Sequence, residues 1–147
     1  MNGYLLDVNV LIALAWPHHV GHSQAHLWFE QHASAGWATC PMTQTAFVRV
    51  SSNPGIIAAA VSPHEAHALL AGMMRHPGHR FWADDVSLDA FSPELIASLV
   101  GHRQVTDAYL LRLSVEHNGR LATFDRGIRG LVPERSPLRE AIVLIDG

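Results

Sequence analysis

Short apolar runs alternate with helical segments along the whole of this 147-residue chain. The runs are typical of buried strands and fall at residues 4–6, 37–40, 80–83, 120–124 and 141–145. Helices are predicted between them, at residues 8–16, 21–33, 43–50, 62–74, 92–99 and 106–117. Strands that alternate with helices form a parallel sheet covered on both faces. The pattern therefore predicts a three-layer α/β/α fold with a short central parallel sheet.

Capping signals set the predicted helix starts. Ser62 and Ser92 are each followed by proline, and serine at the cap with proline at the first helical position is a strong start signal. Thr43 and Thr106 are predicted to cap two further helices, the second running over residues 107–117. Asn118 and the glycine after it end that helix.

Length and composition limit the class of protein. A chain of 147 residues that is 48% hydrophobic has the size of one domain, which we expect to span 1–147. Its one cysteine, Cys40, excludes an intrachain disulfide and a cysteine-cluster zinc site. No apolar stretch is long enough for a membrane span, and no basic region precedes one near the N-terminus. We expect a cytoplasmic protein with no membrane partner.

Charge is distributed unevenly along the chain. The net charge is −3, with three arginines against seven acids in residues 1–100 and seven against six in residues 101–147. A protein that binds nucleic acid through bulk positive charge is therefore disfavoured. Any contact with phosphate needs a local source of positive charge.

Three aspartates are predicted to meet at one edge of the sheet. Asp7 follows the first strand, and Asp125 follows the strand at 120–124. Asp107 begins a helix roughly 16 Å long, and the strand after it returns roughly the same distance in the opposite sense. One aspartate alone is most often a helix cap. Three that converge where open α/β sheets bind ligands favour a site.

Clustered carboxylates repel one another and need a compensating charge. A hard divalent cation such as Mg²⁺ or Mn²⁺ binds oxygen ligands and leaves positions open for phosphate oxygens. It would polarise a phosphoryl group and activate a water for in-line attack. The sequence therefore predicts a metal centre that lets a net-acidic chain act on a polyanion.

Three stretches carry a resemblance to a known family: LDVNVL at 6–11, TDAYLL at 106–111 and ATFDRG at 122–127. They resemble the acidic signatures of PIN domains, and nearly the whole chain resembles the VapC-type ribonuclease toxins of bacterial toxin–antitoxin systems. The stretches WATCP at 37–41, TQ at 43–44, FVR at 47–49, RFW at 80–82 and DD at 84–85 are similar to a mycobacterial-like branch of that group.

The resemblance implies a PIN-like fold and a Mg²⁺- or Mn²⁺-dependent endoribonuclease. It also implies a homodimer that acts on RNA and is inhibited by a small cognate antitoxin of the VapB type. By the same resemblance, Asp7, Asp107 and Asp125 would hold the metal and form the catalytic set. Asn9 and Thr123 match neighbouring polar positions that orient ligands or water.

The chain departs from the family pattern at one acid. A fourth acid, a glutamate, is usual early in the helix after the second strand, and this place falls on Ala46 or Gln44. Gln44 could still ligate through its carbonyl or a bridging water, with one less negative charge. Two readings stay open: an active nuclease with weaker metal binding, and a catalytically weak or inactive module that binds RNA or antitoxin.

Other polar residues have a functional and a structural interpretation. Arg126 and Arg129 flank the third aspartate and would contact RNA phosphates or serve as surface charges. Arg49 could pair with a carboxylate of the site. Cys40 is expected to be a buried small hydrophobe, with a nucleophile as the alternative.

The remaining predictions concern four histidines, a phosphorylated aspartate and a groove for the antitoxin. The histidines are expected to be exposed polar residues beside a helix start, with a zinc site as the alternative; they are His18, His19, His22 and His26. A phosphorylated carboxylate at Asp7 is disfavoured because the chain has no lysine. The antitoxin would lay an amphipathic helix in a groove of the first two helices and the helix at 62–74.

Overall fold

Five short strands form a central parallel sheet in the computed structural model, which describes residues 1–146. The sheet order is β3-β2-β1-β4-β5, and every neighbouring pair is parallel. The strands are β1 (Tyr4–Leu6), β2 (Trp37–Thr39), β3 (His79–Phe81), β4 (Arg120–Thr123) and β5 (Ile142–Leu144). The strand order reverses between β1 and β4, so the carboxyl ends of these two strands flank the point where such sheets bind ligands.

Seven α-helices pack around the sheet in residues 1–146. They are α1 (Val8–Ala15), α2 (His22–His32), α3 (Pro41–Ser51), α4 (Pro63–Met74), α5 (Pro93–Ser98), α6 (His102–Glu116) and α7 (Pro137–Glu140). Short 3₁₀ helices lie at Ala33–Ala35, Leu88–Ala90 and Arg126–Leu131. No helix in that range is long and apolar enough to cross a membrane. The predicted α/β architecture with a parallel sheet is confirmed and agrees with a PIN-like fold.

Two apolar cores lie on opposite faces of the sheet. Successive side chains of a strand point to opposite faces, and β1 shows this directly. Tyr4 and Leu6 pack with residues of α1 to α4, whereas Leu5 packs with residues of α5, α6 and the segment around α7. Because both faces are covered, all of β1 is buried, which explains why the strands appear in the sequence as continuous apolar runs.

Helix α6 begins earlier than the sequence predicts. Thr106 is not its cap, because the helix starts at His102 and Thr106 lies within it. The side chain of Gln104 accepts hydrogen bonds from the backbone N–H groups of Val100 (2.6 Å) and Gly101 (3.3 Å), and so satisfies donors at the true start. The extra five residues extend the helix by about 7 Å.

Helix α3 also begins before the predicted cap. It starts at Pro41, so Thr43 is its third residue. The Thr43 hydroxyl accepts from the backbone N–H of Cys40 at 3.0 Å. The carboxylate of Asp84, beyond the end of β3, accepts from the N–H of Met42 at 3.1 Å. A residue from a distant segment therefore caps this helix, and local sequence does not indicate that.

Candidate metal centre

Asp7 is held in one orientation at the end of β1. Its side chain is buried, with 7% of the residue exposed. One carboxylate oxygen, Oδ1, accepts from the backbone N–H of Val8 at 2.7 Å, and the other, Oδ2, accepts from the hydroxyl of Thr123 at 2.8 Å. Burial raises the pKa of Asp7, and these two hydrogen bonds oppose the rise. A buried carboxylate with two donors is a fixed group rather than a mobile one.

Thr123 joins two of the predicted site residues. It is the last residue of β4 and is 1% exposed. Besides donating to Asp7, its hydroxyl oxygen accepts from the backbone N–H of Asp125 at 3.1 Å. The parallel pairing of Leu6 with Ala122 brings the ends of β1 and β4 side by side. The structure therefore places the Thr123 hydroxyl between Asp7 and Asp125.

Asp107 lies on the second turn of α6, half-buried, and interacts with both other aspartates. Its pKa is raised to about 7, first by burial, then by the negative charges of Asp7 and Asp125, and by a hydrogen bond between the Asp107 and Asp125 carboxyl groups. Although α6 starts five residues early, the residues after Asp107 still run back beside β4. The predicted convergence of the three aspartates is therefore observed, with Asp107 in the second turn rather than at the helix start.

The donor chemistry suits a hard divalent cation. Three carboxylates and the Thr123 hydroxyl meet here, and the repulsion among the carboxylates is what a cation would relieve. Within residues 1–146, no group of three His, Cys, Asp or Glu side chains is already arranged to hold a metal ion. Mg²⁺ commonly keeps several waters and uses one or two carboxylates. The cluster therefore fits such an ion without forming a complete protein cage.

None of the hydrogen bonds or ion pairs found in residues 1–146 joins the other predicted supporting residues to the three aspartates. Asn9 is exposed in the first turn of α1. The side-chain amide of Gln44 donates to the Thr39 hydroxyl at 2.9 Å and to the Met74 sulfur at 3.5 Å. Arg49 is exposed in the last turn of α3, and none of the ion pairs found in residues 1–146 includes it.

The two arginines after Asp125 lie on the surface beside it. Arg126 and Arg129 belong to the 3₁₀ helix that follows β4, and both are exposed. Arg126 forms an ion pair with Asp146 at 3.5 Å. The backbone carbonyl of Arg129 accepts from Arg139, so its own guanidinium is not part of that contact. Both arginines therefore lie on the exposed segment that directly follows Asp125 in the chain.

The histidines of α2 connect that helix to α1. His22 Nδ1 donates to the Ala13 carbonyl at 2.7 Å, and His26 Nε2 donates to the Leu14 carbonyl at 2.9 Å. These carbonyls belong to the last turn of α1, which has no later helical N–H to bond. The prediction of merely exposed polar residues was thus wrong for His19 and His22, which are half-buried. The i, i+4 spacing of His22 and His26, which suggested a metal site, was the sequence signal for this contact between the two helices.

Cys40 lies at the start of α3 and is fully buried. Burial raises the pKa of its thiol to about 11, and the nearby Asp84 carboxylate adds to that rise. A thiol with this pKa is protonated at neutral pH and is a poor nucleophile. The interpretation of Cys40 as a small buried hydrophobe is therefore supported.

Known proteins with similar sequences share one family. No family model matches the chain. Ribonuclease VapC38 of Mycobacterium tuberculosis is 48% identical over 131 residues, which is 89% of this chain and 91% of the relative. Ribonuclease VapC39 of that organism is 48% identical over 84% of this chain and 89% of its own length, and Ribonuclease VapC29 is 44% identical over 86% and 89%. With such identity over most of its length, the chain belongs to the VapC family.

Proposed function

We propose that this chain is the toxin of a type II toxin–antitoxin system, an endoribonuclease that hydrolyses RNA phosphodiester bonds with Mg²⁺ or Mn²⁺. The observation that carries the proposal is the convergence of three carboxylates from the ends of β1 and β4 and from α6, where burial and then the charges of Asp7 and Asp125 raise the pKa of Asp107 to about 7. Relatives named ribonucleases, 44–48% identical, support the reaction class. A bound divalent cation would polarise the phosphoryl group and activate water.

The protein's own residues prepare this centre by fixing one carboxylate. Val8 and Thr123 each donate to a different oxygen of Asp7. A carboxylate oxygen has two lone pairs, so each can accept one hydrogen bond and still bind a cation. Asp7 is therefore oriented before any ligand arrives, which limits the reorganisation that binding costs.

Asp107 carries a proton that must leave before its carboxylate can bind a cation. With a pKa of about 7, its carboxyl is only partly ionised at neutral pH without a cation. Carboxylate ligands must be deprotonated, so cation binding would release that proton. Arg126 and Arg129, exposed beside Asp125, are proposed to contact phosphates of the RNA strand on either side of the cleaved bond.

The proposed protein partners are a VapB-type antitoxin and a second copy of the chain. A cavity of about 510 Å³ lies among α1, α2 and α4, the three helices named for the antitoxin groove, and has an apolar wall that includes Leu14, Phe29 and Met73. An amphipathic helix can bury its apolar face in such a groove. This supports the antitoxin proposal, while the homodimer rests on the family resemblance.

Cleavage of RNA tests the proposed activity. The purified chain should cleave RNA with Mg²⁺ or Mn²⁺, lose cleavage in EDTA and regain it when the cation is restored. Asp7→Asn and Asp107→Asn should reduce cleavage by at least about 100-fold while the far-ultraviolet circular dichroism stays unchanged. Cleavage that persists in EDTA, or in both variants, would contradict the proposal.

The position of Gln44 favours a second candidate, a weak or inactive module that binds RNA or antitoxin. Its amide hydrogen bonds engage Thr39 and Met74, and it carries no charge for a cation. Gln44→Glu tests this candidate by restoring a fourth acid. If activity appears only in Gln44→Glu, the parent chain is the inactive module; if the parent already cleaves RNA, the first proposal holds.

A further inference from the structure

A second cavity adjoins the carboxylate edge, separate from the groove proposed for the antitoxin. It measures about 670 Å³ and lies between the segment after α1 and the segment after α3. Its lining contains no acid and no arginine: Trp16, His18, His19, Val20 and the run 56–59. In a chain with a net charge of −3, a wall free of carboxylates adds no repulsion of its own toward an anionic strand.

Aromatic contacts join this cavity to the aspartates. The ring of His19 stacks on that of Phe124, with centroids 6.0 Å apart and planes 24° apart. Phe124 lies between Thr123 and Asp125 in the chain. Gly21 packs so closely on the Phe124 ring that an added Cβ would lie 2.8 Å from it. The cavity is therefore joined to the carboxylate edge through Phe124, the chain neighbour of both Thr123 and Asp125.

The walls of the cavity are held in place. The Trp16 indole N–H donates to the Ser51 hydroxyl at 3.1 Å, and His19 Nδ1 accepts from the Gly21 N–H at 2.9 Å. Burial, with a smaller electrostatic contribution from His22, holds the pKa of His19 below its ordinary value of 6.5, so the ring is uncharged at neutral pH. Both rings are thus oriented flat groups on which a planar ligand can stack.

The cavity also offers polar and apolar groups to a ligand's edge. Within residues 1–146, no hydrogen bond from the backbone N–H of Ala58 or Ala59 is found, and both residues are exposed. Val20 is 95% exposed and Ile56 62% exposed, so apolar surface borders these free donors. Single-stranded RNA is recognised by aromatic and histidine side chains that stack its bases and by hydrogen bonds to base edges.

We propose that this cavity is a nucleobase subsite that holds an unstacked RNA base next to the phosphate to be cleaved, with Trp16 and His19 as its stacking walls. The inference rests on the proposed ribonuclease function and adds a place where base identity is read. The open N–H groups of Ala58 and Ala59 favour bases with acceptors on that edge.

Nucleosides test the subsite without any cleavage. Adenosine, guanosine, cytidine and uridine are titrated into the metal-free protein, and tryptophan fluorescence is recorded; ribose 5-phosphate, which lacks a base, serves as the blank. Trp16 is the half-buried tryptophan, whereas the others are buried in the cores: Trp28, Trp37 and Trp82. Saturable quenching by at least one nucleoside is expected, and Trp16→Phe should abolish it.

A pair of histidine variants separates the subsite from general effects. His19→Ala should weaken nucleoside binding about tenfold, as loss of one stacking partner does. His67→Ala removes an exposed histidine of α4 outside the cavity and should leave binding unchanged. Absence of quenching in the parent chain, or equal binding by both variants, would overturn the subsite. If nucleosides bind but RNA is not cleaved, the proposed function is wrong and the cavity still binds a base. If RNA is cleaved but no nucleoside binds, only the subsite is wrong.

Discussion

At the scale of single residues, a small number of hydrogen-bonding groups fixes the orientation of the site's carboxylates. Thr123 supplies one hydroxyl that donates to Asp7 and accepts from the backbone of Asp125. Because the residue is 1% exposed, water does not replace these bonds when the hydroxyl is removed. One oxygen atom therefore links Asp7 to Asp125, in addition to the backbone donors Val8 and Gly127 that each aspartate has of its own.

Thr123→Val keeps the shape of the side chain and removes that oxygen. The variant leaves a buried acceptor and a donor without a partner, so we expect the free energy of unfolding to fall by about 1–3 kcal/mol and RNA cleavage to fall at least about tenfold. Thr45→Val is the matched control, because the exposed Thr45 hydroxyl bonds only to carbonyls of its own helix. Equal unfolding and cleavage in the two variants would contradict the role given to Thr123.

Asp107 should make the metal-free protein less stable as pH rises. Its pKa is about 7 in the folded chain against an ordinary value of 3.8, so the folded state binds more protons between these values. Stability therefore falls as pH increases from about 4 to 7. Asp107→Asn removes this loss and should be more stable than the parent by about 1–2 kcal/mol at pH 8, a figure reduced for partial solvent screening, and equal to it near pH 4.

Urea unfolding of the two proteins in EDTA across this pH range measures the effect. Asp146→Asn, which changes an exposed acid paired with Arg126, serves as the control and should follow the parent curve. A constant difference between Asp107→Asn and the parent at every pH would show that charge at Asp107 does not cause it.

At the scale of elements, the end of α1 is stabilised from outside its own sequence. His22 and His26 of α2 donate to the carbonyls of Ala13 and Leu14. Ala13 is fully buried, so its carbonyl has no water to replace a lost donor. The contact fixes the angle between α1, which starts at the site, and α2.

His22→Ala should lower the free energy of unfolding by about 1 kcal/mol, because one buried carbonyl loses its donor. His64→Ala changes an exposed histidine in the first turn of α4 and should have little effect. Urea denaturation followed by circular dichroism compares them. If both variants unfold at the same urea concentration as the parent, the histidine contacts contribute nothing to stability.

Most elements could be predicted because their signals are local. Ser62 and Ser92 cap α4 and α5 where predicted, and each accepts from the backbone three residues later at 3.1 Å. The starts of α3 and α6 were mispredicted because their donors are satisfied by Asp84, from another segment, and by the side chain of Gln104. Periodicity and local capping rules do not contain the Asp84 contact, whereas Gln104, three residues after Gly101, is a local capping-box signal that the prediction missed.

The site, like the elements, could be predicted only where strand and helix ends indicate it. Three acids at strand and helix ends indicate convergence from strand direction alone, so Asp7, Asp107 and Asp125 could be named. The hydrogen bonds of the Thr123 hydroxyl to Asp7 and Asp125 could not be predicted, because they depend on the register of β1 against β4. The engagement of Gln44 with Met74 follows from the packing of α3 on α4, which no sequence spacing encodes.

At the scale of the whole molecule, a net-acidic chain gathers acids from three distant positions at one sheet edge. The unfolded chain has no such cluster, so a cation that binds it stabilises the fold by linkage. A cation at 100 times its dissociation constant would add about 2.7 kcal/mol to the free energy of unfolding. The carboxylate repulsion that costs stability in the free protein is thus what a bound cation would relieve.

Calorimetric titration of Mn²⁺ at pH 7, in two buffers of different ionisation enthalpy, tests this account most directly. The parent chain should bind Mn²⁺ and release a fraction of a proton, because Asp107 has a pKa of about 7 and must ionise. Asp107→Asn should bind at least about tenfold more weakly and release no proton, while Asp146→Asn should match the parent. Equal affinity and proton release in Asp107→Asn, or no Mn²⁺ binding by the folded parent, would contradict a metal centre at these aspartates.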